Sequence, residues 1–519
     1  MSNSNRFLED FAWRVGVGPT PGHFSVGYSD LLSEQSGEAL AQTATGQASG
    51  NQASESAGPV TSLAQQAHPP LPRRVRDELD RCLALGRAGD YDAALAGVDA
   101  LIADYQQLAL LENIAGTLHA SAADFAGATQ RFERAIAIDP GFSAAHNNLG
   151  LALFAQGRDG AAIEHYNAAL KADPHFAEAL SNLGLVYRKR EQYATAANFF
   201  ERALEITPGY AVANEGLAGV LEALGDIDNA VERYGVAGAS YAGGGRREEA
   251  LKCYEHVVRL RPDISEGHEA CGIHLAGLKR NSEAIACLRE ALRRNPDNES
   301  AAFRLAALLQ EPASSTPPRM IKDQFDHYAA RFDQSLVNDL GYSAPALLKQ
   351  VLTTRGLSRE IYPLALDLGC GTGLAGVEFR ELCEVLEGID LSEAMLERAR
   401  ARGVYDALHT AEVVHALEAF ERPIDLFIAT DTLVYIGDLE PLFSAIKKTA
   451  ADGAQLLVTT EHFDHGSWTL QRSYRFAHSQ TYVEQVARKA GFALQHFEVC
   501  DLRLEHGKWL KGGVYILQA

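Results

Sequence analysis

Cysteine pairs are missing from this sequence. Its seven cysteines (82, 253, 271, 287, 370, 383 and 500) are scattered, and no two form a C-x-x-C pair. That spacing argues against thiolate zinc sites and against a disulfide framework, and it fits a reducing compartment. Long apolar runs are missing too. No stretch approaches the ~18 consecutive apolar residues of a membrane-spanning helix, so no membrane association is expected. The start of the chain lacks a basic segment leading into an apolar one, so no signal peptide is expected and a cytoplasmic location is. Positive charge is in short supply. Lys and Arg number 47 against 68 Asp and Glu, a formal net charge of −21. The acidic excess runs through the first 72 residues, the middle and the last two hundred alike. A nucleic-acid binder needs a basic face to neutralise phosphates, so no nucleic-acid partner is expected.

What is present divides the 519 residues into parts. Residues 1–72 are rich in Ser, Gln, Gly and Ala and cannot bury a core, so a disordered leader is expected there. From about residue 73 the chain repeats itself. One alanine recurs at 94, 128, 162, 196 and 230, each step being 34 residues. A small residue recurs ahead of it at Cys82, Gly116, Gly150, Gly184 and Ala218, and an aromatic follows it at Phe132, Tyr166, Phe200 and Tyr234. Pro140, Pro174 and Pro208 close units. Small residues let paired helices approach, aromatics fill the gap to the next pair, and proline stops the second helix. This pattern resembles the tetratricopeptide repeat.

The register slips once. The next equivalent alanine, Ala250, comes only 20 residues after Ala230, with Gly243–Gly245 between them. The helix around Asn229–Tyr241 should therefore serve two units, with a kink or packing defect nearby. A last helix, Glu299–Gln310, is expected to cap an α-solenoid over 73–310. Such stacks form a groove for a protein or peptide partner. Asn148 and Asn182, at equivalent places in that groove, can grip an extended backbone or simply be consensus residues. Residues 311–320, EPASSTPPRM, read as a Pro/Ser linker.

Beyond the linker, over 321–519, short apolar strands alternate with helices: 364–368, 384–390, 404–410, 424–430 and 455–460, then late strands in FALQHFEVC and GGVYILQA. Alternation of this kind implies an α/β doubly wound parallel sheet, with ligands beyond the carboxyl ends of its strands. The first strand runs into D-L-G-C-G-T-G: Asp367, Gly369, Gly371 and Gly373. A dinucleotide turn wants its third glycine one residue later, where Leu374 stands. Asp390 ends the second strand, 23 residues after Asp367, in EGIDLSEAML. A carboxylate there can accept hydrogen bonds from vicinal ribose hydroxyls.

The D-x-G-x-G-x-G form together with GIDLSEAML resembles the class I S-adenosylmethionine-dependent methyltransferases. With the repeats ahead of it, the chain resembles bacterial methyltransferases that carry tetratricopeptide repeats. The resemblance implies a Rossmann-like sheet with a late antiparallel strand, and S-adenosyl-L-methionine as cofactor. It implies that Leu391 and Met395 flank the adenine and that Glu412 lies near its amino group. It also implies a covering segment over 323–352, with Tyr328, Arg331 and Phe332 against the methionine end. Thr430, Asp431 and Tyr435, after the fourth strand, would lie beside the transferable methyl.

No N-P-P-Y and no P-C pair follow that strand, which turns the expectation toward oxygen, carboxylate, thiol or other small acceptors. Asp431, His462 and His465 are the sequence's candidates for a general base, with Asp431, Tyr435 and His462 taken as catalytic. A metal at His462, Asp464 and His465 would be crowded, and none is expected. The acceptor itself is not legible. Three readings stay open: an active enzyme whose repeats present the substrate, a repeat adaptor with a non-catalytic cofactor-binding domain, and an enzyme regulated by its repeats.

Overall fold

The computed structural model describes residues 72–519, apart from 330, 331, 334, 335, 337–340, 506 and 507. Of the expected leader only Pro72 falls among them. The chain packs as two units, one ending at Asp263 and the other running from Ile264 to Ala519.

The described part of the first unit is helical. Helices pair as Arg73–Arg87 with Tyr91–Asp104, Ala109–Ser121 with Phe125–Ile138, Ser143–Ala155 with Asp159–Ala172, and Ala177–Lys189 with Tyr193–Ile206. Asp90, Asp124 and Asp226 start helices by accepting a backbone N–H three residues on. The recurring small residue is forced by contact: a Cβ on Gly184 would lie 2.7 Å from the fully buried Phe200 ring. Asn148 Nδ2 donates to Asn113 Oδ1 at 3.0 Å, and Asn182 Nδ2 to Asn147 Oδ1 at 2.9 Å. These two amides therefore staple successive helix pairs.

Where a kink or defect was expected, Ile227–Gly243 is one unbroken helix of 17 residues. It packs on Ala211–Leu224 before it and on Arg247–Leu260 after it. Its first half carries the buried Ala230 and Tyr234 of a second helix. Its second half carries Gly238, whose added Cβ would lie 2.8 Å from the Tyr254 ring, as a first helix requires. Gly238 precedes Ala250 by the same 12 residues that separate Gly184 from Ala196. The array loses one helix and keeps its packing.

The second unit opens with three more helices on the repeat pattern, Ser265–Gly277, Asn281–Arg294 and Glu299–Leu309. The last of them is no free cap: Phe303 and Ala307 are buried against Leu470 and Phe476 of the sheet. Nor are residues 311–320 a loose spacer. Thr316 N–H donates to Tyr435 O at 2.8 Å, and Gly437 and Asp438 N–H donate to Ser314 O at 2.8 and 2.9 Å. This strap leads into the helix Pro318–Tyr328, opened by proline where no N–H is needed.

The strands are β1 (Tyr362–Leu368), β2 (Cys383–Asp390), β3 (Ala407–Thr410), β4 (Ile424–Ala429), β5 (Ala450–His462), β6 (Trp468–Leu470), β7 (Phe476–His478), β8 (Ala493–Glu505) and β9 (Lys508–Gln518). Their order is β3-β2-β1-β4-β5-β7-β6, with β9 antiparallel to both β5 and β8. The parallel centre is buried on both faces, which is why β1 and β4 read as continuous apolar runs. β3 is shorter than the expected 404–410: residues 404–406 form the connection from the helix cap at Gly403, and Tyr405 there is turned to Asp367. The three-residue strands β6 and β7 were not expected from the sequence. They are too short to carry a period.

Candidate functional site

The carboxyl ends of β1, β2 and β4 open onto a cleft of about 1490 Å³ within the second unit. β1 delivers the glycine turn. Gly369, Gly371 and Gly373 all have positive φ (73°, 54° and 92°), which L side chains rarely adopt. Gly371 N–H donates to Asp390 Oδ2 at 2.9 Å, and Ser392 N–H to Asp390 Oδ1 at 2.8 Å. Asp390 thus ties the turn to the end of β2, and each of its oxygens keeps acceptor capacity. Burial pushes its pKa up, while the N–H groups of Ser392, Gly371 and Leu391 pull it back.

Gly369, Gly371, Asp390, Leu391, Met395, Glu412, Thr430, Asp431, Tyr435 and Tyr328 line this one cleft. Glu412 also caps the helix Val413–Glu418, accepting from His415 N–H at 2.9 Å. Asp367 and Gly373 do not line it. Asp367 is fully buried behind the turn, where Tyr405 OH donates to its Oδ2 at 2.6 Å and its Oδ1 has no partner. Burial raises the Asp367 pKa to about 7. Gly373 starts the next helix, its Cβ position 3.0 Å from Tyr405. Arg331 lies outside the described residues.

The covering segment closes on the turn. Asp326 accepts from Ser392 Oγ at 2.6 Å, and Asp333 accepts from Arg402 Nη2 at 2.6 Å and from the Thr372 hydroxyl. It brings Phe325 and Phe332 edge-on to each other, with Phe325 also edge-on to Tyr435 at 5.7 Å. Tyr328 meets Phe332 the same way. These rings form one aromatic wall.

At the β4 end the expected base is engaged otherwise. Asp431 Oδ2 accepts from Arg475 Nη2 at 2.7 Å and its Oδ1 from Arg503 Nη1 at 2.9 Å. Burial opposes its ionisation, but the two guanidiniums outweigh that and hold its carboxyl below the usual range. A carboxylate so held is a poor proton acceptor. His462 does not line the cleft. Neighbouring strand residues face opposite ways: Glu461 accepts from Arg503 Nη2 at 2.7 Å, while His462 turns to Phe497 and Asp464. Among the described residues no cluster of His, Cys, Asp and Glu could hold a metal ion.

Sequence reasoning missed Tyr405, Phe325, Arg475, Arg503 and His478. Arg475 stands in the turn before β7, an element the sequence did not reveal. His478 Nε2 donates to Ile436 O at 2.8 Å and to Gly437 O at 3.2 Å, pinning the loop after Tyr435. Burial drives its pKa down to about 4, so it does this as a neutral ring.

Residues 366–456 match the methyltransferase domain family. Residues 150–189, 177–210 and 236–299 match tetratricopeptide repeat families. Human methyltransferase-like protein 27 is 39% identical over 85 residues, 16% of this chain and 34% of that protein. The chain therefore spans about a third of that relative's length. Among solved structures, magnesium protoporphyrin IX methyltransferase from Synechocystis PCC 6803 aligns at 14% identity and TM-score 0.31, over 39% of this chain and 98% of that one. YrrB, a TPR protein with an unusual peptide-binding site, aligns at 20% identity and TM-score 0.25, over 40% of this chain and 95% of that one. Segments of the chain thus match tetratricopeptide repeat models and, after them, a methyltransferase domain model.

Proposed function

We propose that this protein is an S-adenosyl-L-methionine-dependent methyltransferase whose repeats hold a protein or peptide partner. The carrying observation is Asp390. Its carboxylate lines the cleft at the end of β2, clamped to the glycine turn and still able to accept. The fit extends along the cleft. The Gly371 backbone has room for close approach, since a Cβ there would meet nothing within 4 Å. Leu391, Met395 and Glu412 would take the adenine, and Phe325, Tyr328 and Phe332 the methionine end. When bound, the cofactor supplies a methyl carbon activated by positive sulfur. The protein's own task is positioning and exclusion of water. The aromatic wall would help to exclude water and would offer rings suited to a cation. Thr430 and Tyr435 would flank the acceptor.

Calorimetry with S-adenosylmethionine tests this reading. Wild type should bind, and Asp390→Ala should weaken binding about 10- to 100-fold, the worth of charged hydrogen bonds. No heat with wild type, or unchanged affinity in the variant, would overturn the assignment. An adaptor without catalysis would bind the cofactor and never turn it over.

A further inference from the structure

Building on the methyltransferase reading, we propose that the methyl acceptor is a carboxylic acid, held as its carboxylate by the open edge of Arg475 and converted to a methyl ester. Three observations at the β4 end of the cleft carry this.

The first is charge. Asp431, Arg475 and Arg503 line the cleft there, whereas Glu461, their fourth partner, does not. One carboxylate is shared between two guanidiniums. Two carboxylates balance the two guanidiniums, but Glu461 lies behind them, so the wall that faces the cleft shows two guanidiniums and one carboxylate.

The second is the orientation of Arg475. Nη2 is fixed by Asp431 and by Tyr435 OH at 3.3 Å, the guanidinium lies 5.5 Å from the Tyr435 ring centre, and Nε is buried beside Glu461. Nη1 has no partner among the described residues and is not one of the buried unpartnered atoms. The side chain keeps 18% of its exposure, so that edge faces the cleft. A rigid guanidinium edge wants an anionic oxygen.

The third is the state of the bases. Asp431 is tied to two arginines and His462 lies off the cleft. An acceptor that must lose a proton finds no unengaged carboxylate or imidazole among the described residues at this end. A carboxylate arrives already ionised near neutral pH. One carboxylate oxygen forms the new C–O bond with the methyl carbon. The donor's S–C bond breaks and its electron pair stays on sulfur. A negative and a positive group become two neutral ones, and no proton moves.

The test has two arms. Without any methyl donor, the full chain is titrated with benzoate and with benzamide, a probe pair matched to the aromatic wall. Benzoate should bind at least about tenfold tighter, the worth of one charge-assisted hydrogen bond. Arg475→Met should abolish the preference and Arg475→Lys should restore part of it. Equal binding of the two probes, or a preference that survives Arg475→Met, overturns the proposal. In the second arm, methyl-labelled S-adenosylmethionine is incubated with wild type and a small-molecule cell extract. The label should appear in products that release methanol in alkali, with kcat/KM flat between about pH 6 and 9. Alkali-stable label, a rate that climbs through that range, or no labelled product from cofactor-saturated protein overturns it. Failure to bind S-adenosylmethionine would sink the underlying methyltransferase reading and leave the benzoate result standing by itself. Affinity for the cofactor in both Arg475 variants shows whether they are folded.

Discussion

Asp367 and Asp390 look like a matched pair of acids in the sequence, yet the fold gives them different work. Asp390 lines the cleft, while Asp367 sits behind the turn under the Tyr405 hydroxyl, fully buried. Burial lifts the Asp367 pKa to about 7, above the ~3.9 of an unfolded aspartate. The native state thus holds that proton more tightly than the unfolded chain does. The stability it contributes is fully present below about pH 4 and is lost as pH rises toward about 7. Asp367→Asn should remove this term, so wild type and variant should diverge progressively across that window. At the ceiling the difference is on the order of 4 kcal/mol. Chemical denaturation of both proteins at a series of pH values measures it, and parallel curves would refute the assignment. Asp390 could be picked out from its place at a strand end beside a glycine turn. The Tyr405 contact could not, because it crosses 38 residues and depends on how tightly Gly376 lets that ring approach. Asp431 and His462 were read as bases from residue type and from their places at the ends of the fourth and fifth strands. Their partners come from β5, β8 and the turn before β7, and only the folded sheet brings these together.

At the scale of elements, strong periods were legible and short pieces were not. The 34-residue repeat announced the helix pairs, and apolar runs announced the central strands. The hairpin of β6 and β7 was silent, with three residues in each strand. So was the strap at 313–317, whose Pro- and Ser-rich composition gives no hint of its hydrogen bonds to the Tyr435 loop. The fused helix Ile227–Gly243 offers a direct test of its double duty. Gly235 has open space around its Cβ position, whereas Gly238 faces the Tyr254 ring at 2.8 Å. Gly235→Ala should stabilise the protein by about 0.5–1 kcal/mol, since glycine is a poor helix former. Gly238→Val should destabilise it by roughly 1–3 kcal/mol through overpacking. Equal effects in thermal melts would mean that the second half of this helix does not act as a first helix.

For the molecule as a whole, composition and pattern predicted a solenoid followed by an α/β domain, with the join at the Pro/Ser stretch. Packing divides it earlier, after Asp263. The sequence hides this because helices 265–309 obey the repeat pattern, while the contacts of Phe303 and Ala307 with Leu470 and Phe476 are long-range. A chain beginning at residue 264 should therefore fold as a unit. One beginning at 321 would lose the strap and uncover Leu470, Phe476 and Trp468. For a body of this size a loss of about 2–4 kcal/mol corresponds to a drop in Tm of several degrees to above ten. Comparing melting curves of the two truncations checks it, and equal Tm values would return the boundary to residue 320.

The helix Ile227–Gly243 has one more consequence. A tandem array copied only in whole hairpins can change length only by an even number of helices. Here a single helix presents an alanine–aromatic half to the neighbour before it and a glycine half to the neighbour after it. Any helix with both halves can be spliced in or dropped alone, so the ancestry of this array has to be counted in single helices, and odd numbers are allowed.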